Sequence, residues 1–326
     1  MKSFEYVRVK SVADASRMLG TERDEAKLLA GGTDLLGEMK DYVVTPSRLV
    51  AFRGVPNLDK IEWDDKGGLR LGALVTLARI QEDKRIREKF AVLSEAIDLA
   101  AMPQIRNAAT IAGNLAQRPR CWYYRDEHTH CLKKGGDKCY AVNGENQYHA
   151  ILGGGPCFIV HPSDPAPALV ALGASVVIAG GDRSRTVPLE EFFVLPSQNV
   201  RRENILEQNE VITHVVIPAA TPGFRSAYVK EREKDSYDWA LAAAAVAATR
   251  DGSGNVTSCR IVLGGVAPKP WRAAEAEKAL VGKPLSESAI KEAAKIALAG
   301  AVPLDQNAYK VPLATVVLER ALRKVV

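Results

Sequence analysis

The sequence KLLAGGTDLL, residues 27–36, joins a short apolar strand to the start of a helix through two adjacent glycines. Predicted strands at residues 4–9 and 48–52 and predicted helices at residues 12–19 and 35–40 surround it. This β-α-β-α-β alternation is typical of a small α/β unit. Two glycines let a ligand approach the backbone, and the first amides of a helix face outward as donors, so the turn suits a pyrophosphate. Such a turn is, however, more often ordinary punctuation between a strand and a helix.

Two further regions follow along the chain. The second is predicted to contain a strand, a helix, a glycine-punctuated turn, a helix and a strand, at residues 69–74, 86–101, 106–115, 166–172 and 174–179. Residues 196–209 are polar and predict a linker or loop. The third region is predicted to contain three strands and then three helices, at residues 224–229, 240–248, 260–263, 271–280, 287–299 and 309–324. Alanine propensity alone would make residues 240–248 a helix, but the hairpin signal that follows them favours a strand.

The amino-acid composition limits the classes of protein to which this chain can belong. A chain of 326 residues with 47% hydrophobic and 25% charged residues is typical of a soluble globular protein with two or three domains. We expect no membrane span, because no apolar stretch approaches the required length. The net charge of +5 is spread along the chain, and aromatic residues make up only 6%, so we expect no nucleic-acid partner. Nothing like a secretory signal precedes residue 4, which predicts a cytoplasmic protein, although export on a partner's signal would fit as well.

Four of the five cysteines lie between positions 121 and 157, at Cys121, Cys131, Cys139 and Cys157. Four thiolates brought together by loops are a cage for a soft metal. The spacing C-x9-C-x7-C-x17-C lacks the close CxxC pairs of most structural zinc sites and favours an iron–sulfur centre. Histidines at positions 128, 130, 149 and 161 interleave with the cysteines, so zinc stays open, as do buried thiols without a metal. The fifth, Cys259, lies in an apolar strand and is predicted to be core.

Two more turns have polar residues in useful places. The sequence TIAGN, residues 110–114, is a second glycine turn, and HPSD, residues 161–164, precedes a helix. Asp164 could accept hydrogen bonds from a sugar hydroxyl, or it could simply cap the helix. Neither GxGxxG nor GxxxxGK[ST] occurs, so neither a Rossmann dinucleotide site nor a P-loop is indicated.

Taken together, these motifs resemble one family. AGGTDLL at 30–36, QIRN at 104–107, TIAGN at 110–114, the Ser-Asp pair at 163–164 and LGGVAPKPWR at 263–272 are similar to the FAD-binding medium subunit of the xanthine dehydrogenase family of molybdenum hydroxylases. The resemblance covers essentially the whole chain in the same motif order. It implies an α+β fold with a two-subdomain PCMH-type (vanillyl-alcohol-oxidase-like) FAD-binding domain. A C-terminal α/β domain with a three-stranded antiparallel sheet and a helix bundle would follow.

The resemblance also implies domain bounds and an FAD site. The FAD-binding subdomains would be residues 1–60 and 61–218, and the C-terminal domain residues 219–326. Lys230 would lie near the isoalloxazine, where a cation stabilises the reduced anionic flavin, and Asp164 would bind a hydroxyl of the ribityl or ribose chain. The other predicted FAD contacts are the pyrophosphate turn Leu29, Ala30, Gly31, Gly32, Thr33, Asp34 and Leu35, the second turn Thr110, Gly113 and Asn114, and Ala100, Arg106 and Ile212. No residue of a molybdenum site is predicted in this chain.

The cysteines lie in an insertion at about residues 116–160. It is similar to the insertion of 4-hydroxybenzoyl-CoA reductase and bacterial aldehyde oxidoreductase medium subunits, which implies a 4Fe–4S cluster on Cys121, Cys131, Cys139 and Cys157. The implied partners are a large subunit with the molybdenum cofactor, a small subunit with 2Fe–2S clusters and an external electron acceptor. The implied substrate of the complex is an aldehyde or an aromatic compound. The alternatives are a stand-alone FAD oxidase or dehydrogenase and a zinc-stabilised binding module without enzymatic activity.

Overall fold

The structure, a computed structural model, describes residues 1–22 and 24–326. Its first sheet is parallel, with three strands in the order β1-β3-β2, and two helices connect them. Ser11 accepts a hydrogen bond from the backbone N–H of Asp14 at 3.0 Å, so the predicted start of the first helix is confirmed. The elements are β1 (Glu5–Arg8), α1 (Val12–Leu19), β2 (Ala26–Leu29), α2 (Leu35–Lys40) and β3 (Arg48–Ala51).

The second sheet has five antiparallel strands in the order β4-β5-β8-β6-β7. Its strands are β4 (Ile61–Trp63), β5 (Leu69–Gly72), β6 (Ser175–Gly180), β7 (Arg183–Pro188) and β8 (Val211–Ile217). The helices that accompany it are α3 (Leu77–Glu82), α4 (Lys84–Lys89), α5 (Ala91–Asp98), α6 (Pro103–Ala108), α7 (Ile111–Leu115), α8 (Trp122–Arg125), α9 (Pro165–Ala171) and α10 (Leu189–Phe192). The helix α8 belongs to the cysteine segment and the others pack around the sheet.

Two predictions for this region were wrong in detail. The single helix predicted at 86–101 is α4 followed by α5, because Phe90 leaves helical geometry with φ −133° and ψ 58° and buries its ring in the core. The turn predicted at 106–115 is formed by α6 and α7 with a corner at Ala109. Proline at the start of α6 and the cap at Thr110 explain why both short helices form.

The third sheet is antiparallel with the order β12-β11-β10-β9. Three strands were predicted, and the fourth is a two-residue edge strand that replaces the start of a predicted helix. The elements are β9 (Phe224–Glu231), β10 (Ala242–Arg250), β11 (Val256–Gly264), β12 (Trp271–Arg272), α11 (Ala274–Leu280), α12 (Glu287–Leu298) and α13 (Lys310–Arg323). The α+β fold with a C-terminal antiparallel sheet and helices is therefore confirmed.

The alanine-rich strand β10 connects two hydrophobic cores. Ala243, Ala245 and Ala247 face the core that includes the second sheet. Alternate residues, from Ala242 to Ala248, face the core of the C-terminal helices. Successive side chains of a strand point to opposite faces, and methyl side chains let other elements approach on both. This explains why a stretch with high helix propensity is a strand here.

The cysteine segment, residues 116–160, contains only α8 and a 3-10 helix at Leu132–Lys134 as regular structure. Buried side chains fasten it instead. Lys133 Nζ donates to Glu203 Oε1 at 2.5 Å, and Lys310 Nζ donates to the carbonyl oxygens of Tyr148 and Gly265 at 2.8 Å each. Across residues 1–22 and 24–326, no helix combines the length and the apolar character that a membrane crossing requires.

Candidate functional site

A cavity of about 470 Å³ lies where the two glycine turns meet, and we name it the first cavity. Residues of β2, the turn that follows it, α7 and β8 form its walls. Most of the predicted FAD contacts line it. These are Leu29, Ala30, Gly31, Gly32, Thr33, Asp34, Leu35, Thr110, Gly113 and Ile212.

The glycines are needed for steric reasons. A Cβ atom on Gly31 would lie 2.1 Å from the carbonyl oxygen of Ala108, so any side chain there would separate the two turns. Gly32 has φ +75°, a left-handed conformation that glycine adopts without cost. The close approach of the two turns therefore requires glycine at position 31, and the left-handed backbone favours glycine at position 32.

The two turns differ in their free hydrogen-bond donors. Within the described part of the chain, the backbone N–H groups of residues 31–34 have no hydrogen-bond partner. In the second turn, the N–H of Ile111 donates to Val75, that of Gly113 to Thr110 Oγ1 and that of Asn114 to the Thr110 carbonyl. The first turn thus offers consecutive donors to an anion in the first cavity, whereas the second supplies mainly shape.

The side chain of Asp34 fastens the first turn to the cysteine segment. Its carboxylate accepts hydrogen bonds from Arg125 Nη2 at 2.7 Å, from the Arg118 N–H at 2.7 Å and from Arg120. Burial acts to raise the pKa of Asp34, but Arg120 and Arg125 outweigh it and hold the pKa below its usual value. This carboxylate is therefore ionised and already occupied, and the arginines that hold it were not predicted from the sequence.

A second cavity of about 350 Å³ lies between the HPSD turn, the start of the cysteine segment and the loop from β9 to β10. Asp164 lines it and is 7% exposed. Its carboxylate accepts from Tyr228 at 2.8 Å and from Lys230 Nζ at 2.8 Å. Burial raises the pKa of Asp164, while Lys230 and the Tyr228 hydroxyl oppose the shift. The structure thus pairs two residues that the sequence analysis placed separately on the flavin.

The two cavities adjoin at a contact between the second glycine turn and the HPSD turn. Ser163 Oγ donates to Asn114 Oδ1 at 2.5 Å. Ser163 lines the second cavity, and Gly113, next to Asn114, lines the first. This contact therefore joins a turn that lines the first cavity to a turn that lines the second.

Four predicted contacts line neither cavity in the described part of the chain, namely Ala100, Arg106, Asn114 and Lys230. Ala100 is buried, and Arg106 donates to the carbonyl oxygens of Ala101 at 2.6 Å and Ala100 at 3.1 Å. Arg106 also donates to Gln81 Oε1 at 3.0 Å. The guanidinium group of Arg106 therefore stabilises the backbone turn before α6.

Sequence reasoning missed several residues of the site. The predicted linker, residues 196–209, contains no helix or strand within the described part of the chain, but Arg202, Asn204 and Gln208 line the first cavity. Gln208 Nε2 donates to the carbonyl oxygen of Ala26 at 2.8 Å, which ties this loop to β2. Trp239 and His161 line the second cavity. The only sequence signal for these residues was the HPSD turn itself.

The four cysteines of the insertion line one small cavity, which we name the cysteine cavity. A hydrogen bond from Cys157 lowers the pKa of Cys139 to about 6. The same hydrogen bond and burial raise the pKa of Cys157, and burial raises the pKa of Cys121 to about 11. The donor set, four thiols without a carboxylate, is the chemistry that a soft metal requires.

The chemistry of the four thiols suits a metal, but the spatial arrangement of the side chains suits it less well. Within residues 1–22 and 24–326, no group of three or more His, Cys, Asp or Glu side chains is arranged to hold a metal ion. The predicted ligation of a cluster by Cys121, Cys131, Cys139 and Cys157 is therefore not present as such, although all four residues line the same cavity. Cys259 is buried in β11, as predicted for a core residue.

The cysteine cavity and the second cavity share a wall. Cys121 and His149 line both of them, and His149 Nε2 lies 3.2 Å from Cys121 Sγ. Trp122 and Tyr123 pack their rings against His149 with centroids 5.8 Å and 6.2 Å away. The partition between the two cavities is therefore formed by these side chains.

An α+β chain whose glycine turn presents free amides to an elongated pair of cavities has the features of the class of FAD-binding proteins. Comparison with known families agrees. Residues 2–220 match the FAD binding domain in molybdopterin dehydrogenase, and residues 226–325 match the CO dehydrogenase flavoprotein C-terminal domain.

Individual relatives extend over nearly the whole chain. The aldehyde oxidoreductase FAD-binding subunit PaoB of Escherichia coli is 40% identical over 96% of this chain and 95% of its own length. The carbon monoxide dehydrogenase medium chain of Hydrogenophaga pseudoflava is 30% identical over 98% of this chain and 96% of its own. The solved structure of carbon monoxide dehydrogenase from H. pseudoflava matches with a TM-score of 0.79, covering 99% of this chain and 97% of that one.

The chain belongs to the FAD-binding medium-subunit family of the molybdenum hydroxylases. It is an FAD-binding oxidoreductase subunit of a multi-subunit molybdenum enzyme. The resemblance inferred from the motifs is confirmed at this level.

Proposed function

We propose that this chain is the electron-transfer subunit, with FAD and a 4Fe–4S cluster, of a molybdenum hydroxylase that acts on an aldehyde or an aromatic substrate. Electrons would pass between 2Fe–2S clusters of a small subunit and an external acceptor by way of FAD. The chemistry on the substrate would take place at the molybdenum cofactor of a large subunit.

The observation that carries the FAD site is the row of N–H groups at residues 31–34 that have no partner among the described residues, in a turn that lines the first cavity. Consecutive backbone donors are well suited to the two negative charges of a diphosphate. Gly31 and Gly32 permit the close approach, and Asp34 holds the turn in place through Arg120 and Arg125. The flavin half of the cofactor would then extend past Asn114 and Ser163 into the second cavity.

FAD supplies the conversion between one-electron and two-electron carriers. The chain's own residues would bind and orient it. Asp164, Lys230 and Tyr228 form a buried hydrogen-bonded group at the second cavity, and the Lys230 charge is balanced by the Asp164 carboxylate. We infer that this group fixes the position of the ribityl chain or the ring, as the sequence analysis proposed for Asp164 and Lys230 individually.

Four thiols around one cavity support the iron–sulfur proposal, and Cys121, Cys131, Cys139 and Cys157 would be its ligands. The Lys133–Glu203 ion pair, 2.5 Å between Nζ and Oε1, holds the loop between two of the cysteines. The shared wall of Cys121 and His149 supports an electron path between this centre and the second cavity, because both residues line both cavities.

Zinc is the second candidate for the cysteine cavity. The observation that favours it is His149, whose Nε2 lies 3.2 Å from Cys121 Sγ, since a mixed set of cysteine and histidine ligands is common for zinc. A zinc-containing chain would keep the FAD proposal and would lose the proposed role of the insertion in electron transfer.

The similarity to an aldehyde oxidoreductase FAD-binding subunit supports an aldehyde as the substrate of the complex. The similarity to medium chains of carbon monoxide dehydrogenases supports partner subunits that carry the molybdenum cofactor and 2Fe–2S clusters. Three further points also stay predictions. They are cytoplasmic localisation, an external electron acceptor, and domain bounds at residues 1–60, 61–218 and 219–326.

Anaerobic purification followed by optical spectroscopy and metal analysis tests the proposal. We expect flavin bands near roughly 370 and 450 nm with a broad iron–sulfur shoulder, and about four iron and four sulfide per chain. Flavin bands in a protein that contains zinc and no iron would support the FAD-binding role and would overturn the proposed iron–sulfur cluster. A protein with neither flavin nor metal would contradict the whole proposal.

A matched pair of cysteine variants sharpens this test. Cys131→Ser removes a buried thiol of the cysteine cavity, and we expect it to lose iron while it keeps FAD. Cys259→Ser changes a buried thiol of β11, far from that cavity in the chain, and we expect its iron content to equal that of the unmodified protein. Equal iron in both variants would contradict the assigned ligands.

A further inference from the structure

Glu38 is an acidic residue of α2 in the wall of the first cavity, and only 4% of the residue is exposed. Its Oε1 atom accepts a hydrogen bond from the Tyr124 hydroxyl at 2.6 Å, and Tyr124 is buried as well. Buried polar atoms of side chains are normally hydrogen-bonded, so the second carboxyl oxygen of Glu38 calls for a partner too. Glu38 was not among the residues that the sequence assigned to FAD.

The second carboxyl oxygen of Glu38, Oε2, is open to the first cavity. Among the described residues, Oε2 makes no hydrogen bond and no ion pair. It nevertheless keeps contact with solvent, unlike the unpartnered buried atoms that the chain encloses completely. Because Glu38 lines the first cavity, this contact lies on the side where a ligand would enter. The first cavity therefore contains one acceptor that the protein itself leaves without a donor.

The charges around Glu38 determine which part of a ligand suits it. Burial raises the pKa of the Glu38 carboxyl and the Asp34 carboxylate adds to this shift, while Arg118 and the Tyr124 hydroxyl oppose it. A phosphate group against Glu38 would add negative charge beside two carboxyl groups, which is unfavourable. A hydroxyl group carries no charge and donates a hydrogen bond to a carboxylate oxygen, so it suits this position.

Glu38 lies about one helical turn beyond the turn proposed for the diphosphate. The N–H groups without partners belong to residues 31–34, and α2 begins at Leu35, so Glu38 follows this turn on the same helix. The four residues from Asp34 to Glu38 correspond to a rise of about 6 Å along an α-helix. In FAD the ribose of the adenosine half is joined directly to the diphosphate. Its hydroxyl groups are therefore the donors of that half closest to the phosphates.

We propose that Glu38 is a specificity-determining residue of the FAD site, whose Oε2 accepts a hydrogen bond from a hydroxyl group of the adenosine ribose in the first cavity. This inference rests on the proposed FAD site and adds to it the residue that recognises the ribose. The hydrogen bond from Tyr124 to Oε1 holds the carboxyl group in place. The site therefore favours nucleotides with an intact ribose over their deoxy analogues.

The size of this preference follows from the cost of an unmade hydrogen bond. A bound ligand excludes water from the cavity wall, so a deoxy analogue would leave Oε2 buried without any donor. Hydrogen bonds to charged groups are stronger than those between neutral groups, and leaving a buried acceptor unsatisfied is costly. We therefore expect the missing hydroxyl to weaken binding by roughly tenfold or more.

The test compares ligands as well as variants. The full chain is stripped of flavin, and binding of ADP, 2′-deoxy-ADP, 3′-deoxy-ADP and IDP is measured by titration. For the unmodified chain we expect at least one deoxy analogue to bind about tenfold or more weakly than ADP. IDP lacks the amino group of adenine and keeps the ribose, so we expect it to bind like ADP. For Glu38→Met we expect ADP and both deoxy analogues to bind equally.

Two further variants separate the ribose contact from the stability of the fold. Tyr124→Phe removes the same buried hydrogen bond as Glu38→Met but keeps the carboxyl group, so it should still prefer ADP to the deoxy analogue. Glu38→Gln keeps an oxygen acceptor and should keep part of the preference. The ratio of two affinities in one protein does not change when a variant is merely less stable, so a purely structural role for Glu38 would leave the ratio as it is.

The unmodified chain gives an answer even where Glu38→Met does not fold. Equal affinities for ADP and both deoxy analogues would overturn the inference without any variant. A preference for ADP that persists in Glu38→Met would overturn it as well, and so would discrimination against IDP alone, since the adenine would then be the group that is recognised. If the unmodified chain binds neither ADP nor FAD, the proposed function itself fails.

Discussion

The first cavity and the cysteine cavity are built in opposite ways. The first is lined by backbone, and a Cβ on Gly31 would lie 2.1 Å from the Ala108 carbonyl oxygen. The cysteine cavity is lined by side chains of loops, and buried polar contacts such as Lys133–Glu203 hold those loops. A ligand held by backbone amides needs glycine at fixed positions. A ligand held by side chains on loops needs contacts from other parts of the protein that keep those loops in place.

The two sites nevertheless meet in the chain. Asp34 belongs to the glycine turn and binds Arg120 and Arg125, which flank Cys121. Cys121 and His149 then separate the cysteine cavity from the second cavity. Different residues therefore hold the ligand in each site, but the residues that lie between the two sites contact both. Substitutions should be able to damage one site and spare the other.

The largest effect on FAD affinity is expected from Gly31→Ala. The added methyl group would meet backbone of Ala108, which cannot move aside as a flexible side chain could. Such overpacking costs about 1–3 kcal/mol, which corresponds to roughly 5- to 150-fold in FAD affinity if the whole cost falls on the bound state. Titration of the flavin-free variant with FAD measures the loss, and iron content should stay unchanged.

The matched control is Gly37→Ala in α2, where a Cβ would meet nothing within 4 Å. We expect FAD affinity to be retained and helix stability to rise by about 0.5–1 kcal/mol. If both variants bind FAD equally well, the steric account of the glycine turn is wrong.

The complementary test is Lys133→Met, which should destabilise the loops around the cysteine cavity and leave the first cavity intact. Lys133 is 3% exposed, and the change leaves Glu203 with Arg118 as its remaining ionic partner. Losing one partner of a buried pair costs about 3–5 kcal/mol, and the lower end applies here because Arg118 remains. Denaturant unfolding measures the loss, and FAD affinity should be unaffected.

An exposed ion pair is the control for that variant. Lys278 and Glu275 form an i,i+3 pair on α11, with both side chains more than 70% exposed. Lys278→Met should change the free energy of unfolding by less than about 0.5 kcal/mol. Equal effects of the two lysine changes would mean that the Lys133–Glu203 pair does not fasten the segment.

A further comparison concerns Lys310, which ties the cysteine segment to α13 and has no acidic partner among the described residues. Burial lowers the pKa of Lys310 from 10.5 to about 7 in the folded chain. Between about pH 7 and 10.5 the unfolded chain binds more protons, so the free energy of unfolding should rise with pH, by up to about 1.4 kcal/mol per unit. Lys310→Met should lack this rise, and exposed Lys295→Met should keep it.

Unfolding curves at pH 7, 8 and 9 make this comparison. Parallel pH dependences for Lys310→Met and the unmodified chain would contradict a buried charge at position 310. The same result would leave the hydrogen bonds from Lys310 Nζ to Tyr148 and Gly265 as the whole of its contribution.

The fold was predictable where local signals agree with tertiary packing. The cap at Ser11 and the strand before the DGSGN hairpin are examples, because each depends on neighbours in sequence. The break at Phe90 was not predictable, since the ring leaves the helix to enter a core made by distant residues. The edge strand at Trp271 likewise depends on pairing with β11.

The residues of the site, like the elements of the fold, were predictable where a short sequence signal marks them. The glycine turns were found because backbone ligation leaves a short motif, and the cysteines because thiols are rare. His161, Arg120 and the loop with Gln208 escaped, since their positions in the cavity walls are set by long-range contacts. The pairing of Asp164 with Lys230 joins the residue just before α9 to a residue of β9, which no spacing in the sequence indicates.

The most direct test of the account is a crystal structure of the anaerobically prepared, FAD-saturated chain. We predict the diphosphate oxygens within hydrogen-bond distance of the N–H groups of residues 31–34, and the isoalloxazine in the second cavity. A diphosphate bound away from that turn, or a ring outside the second cavity, would contradict the account.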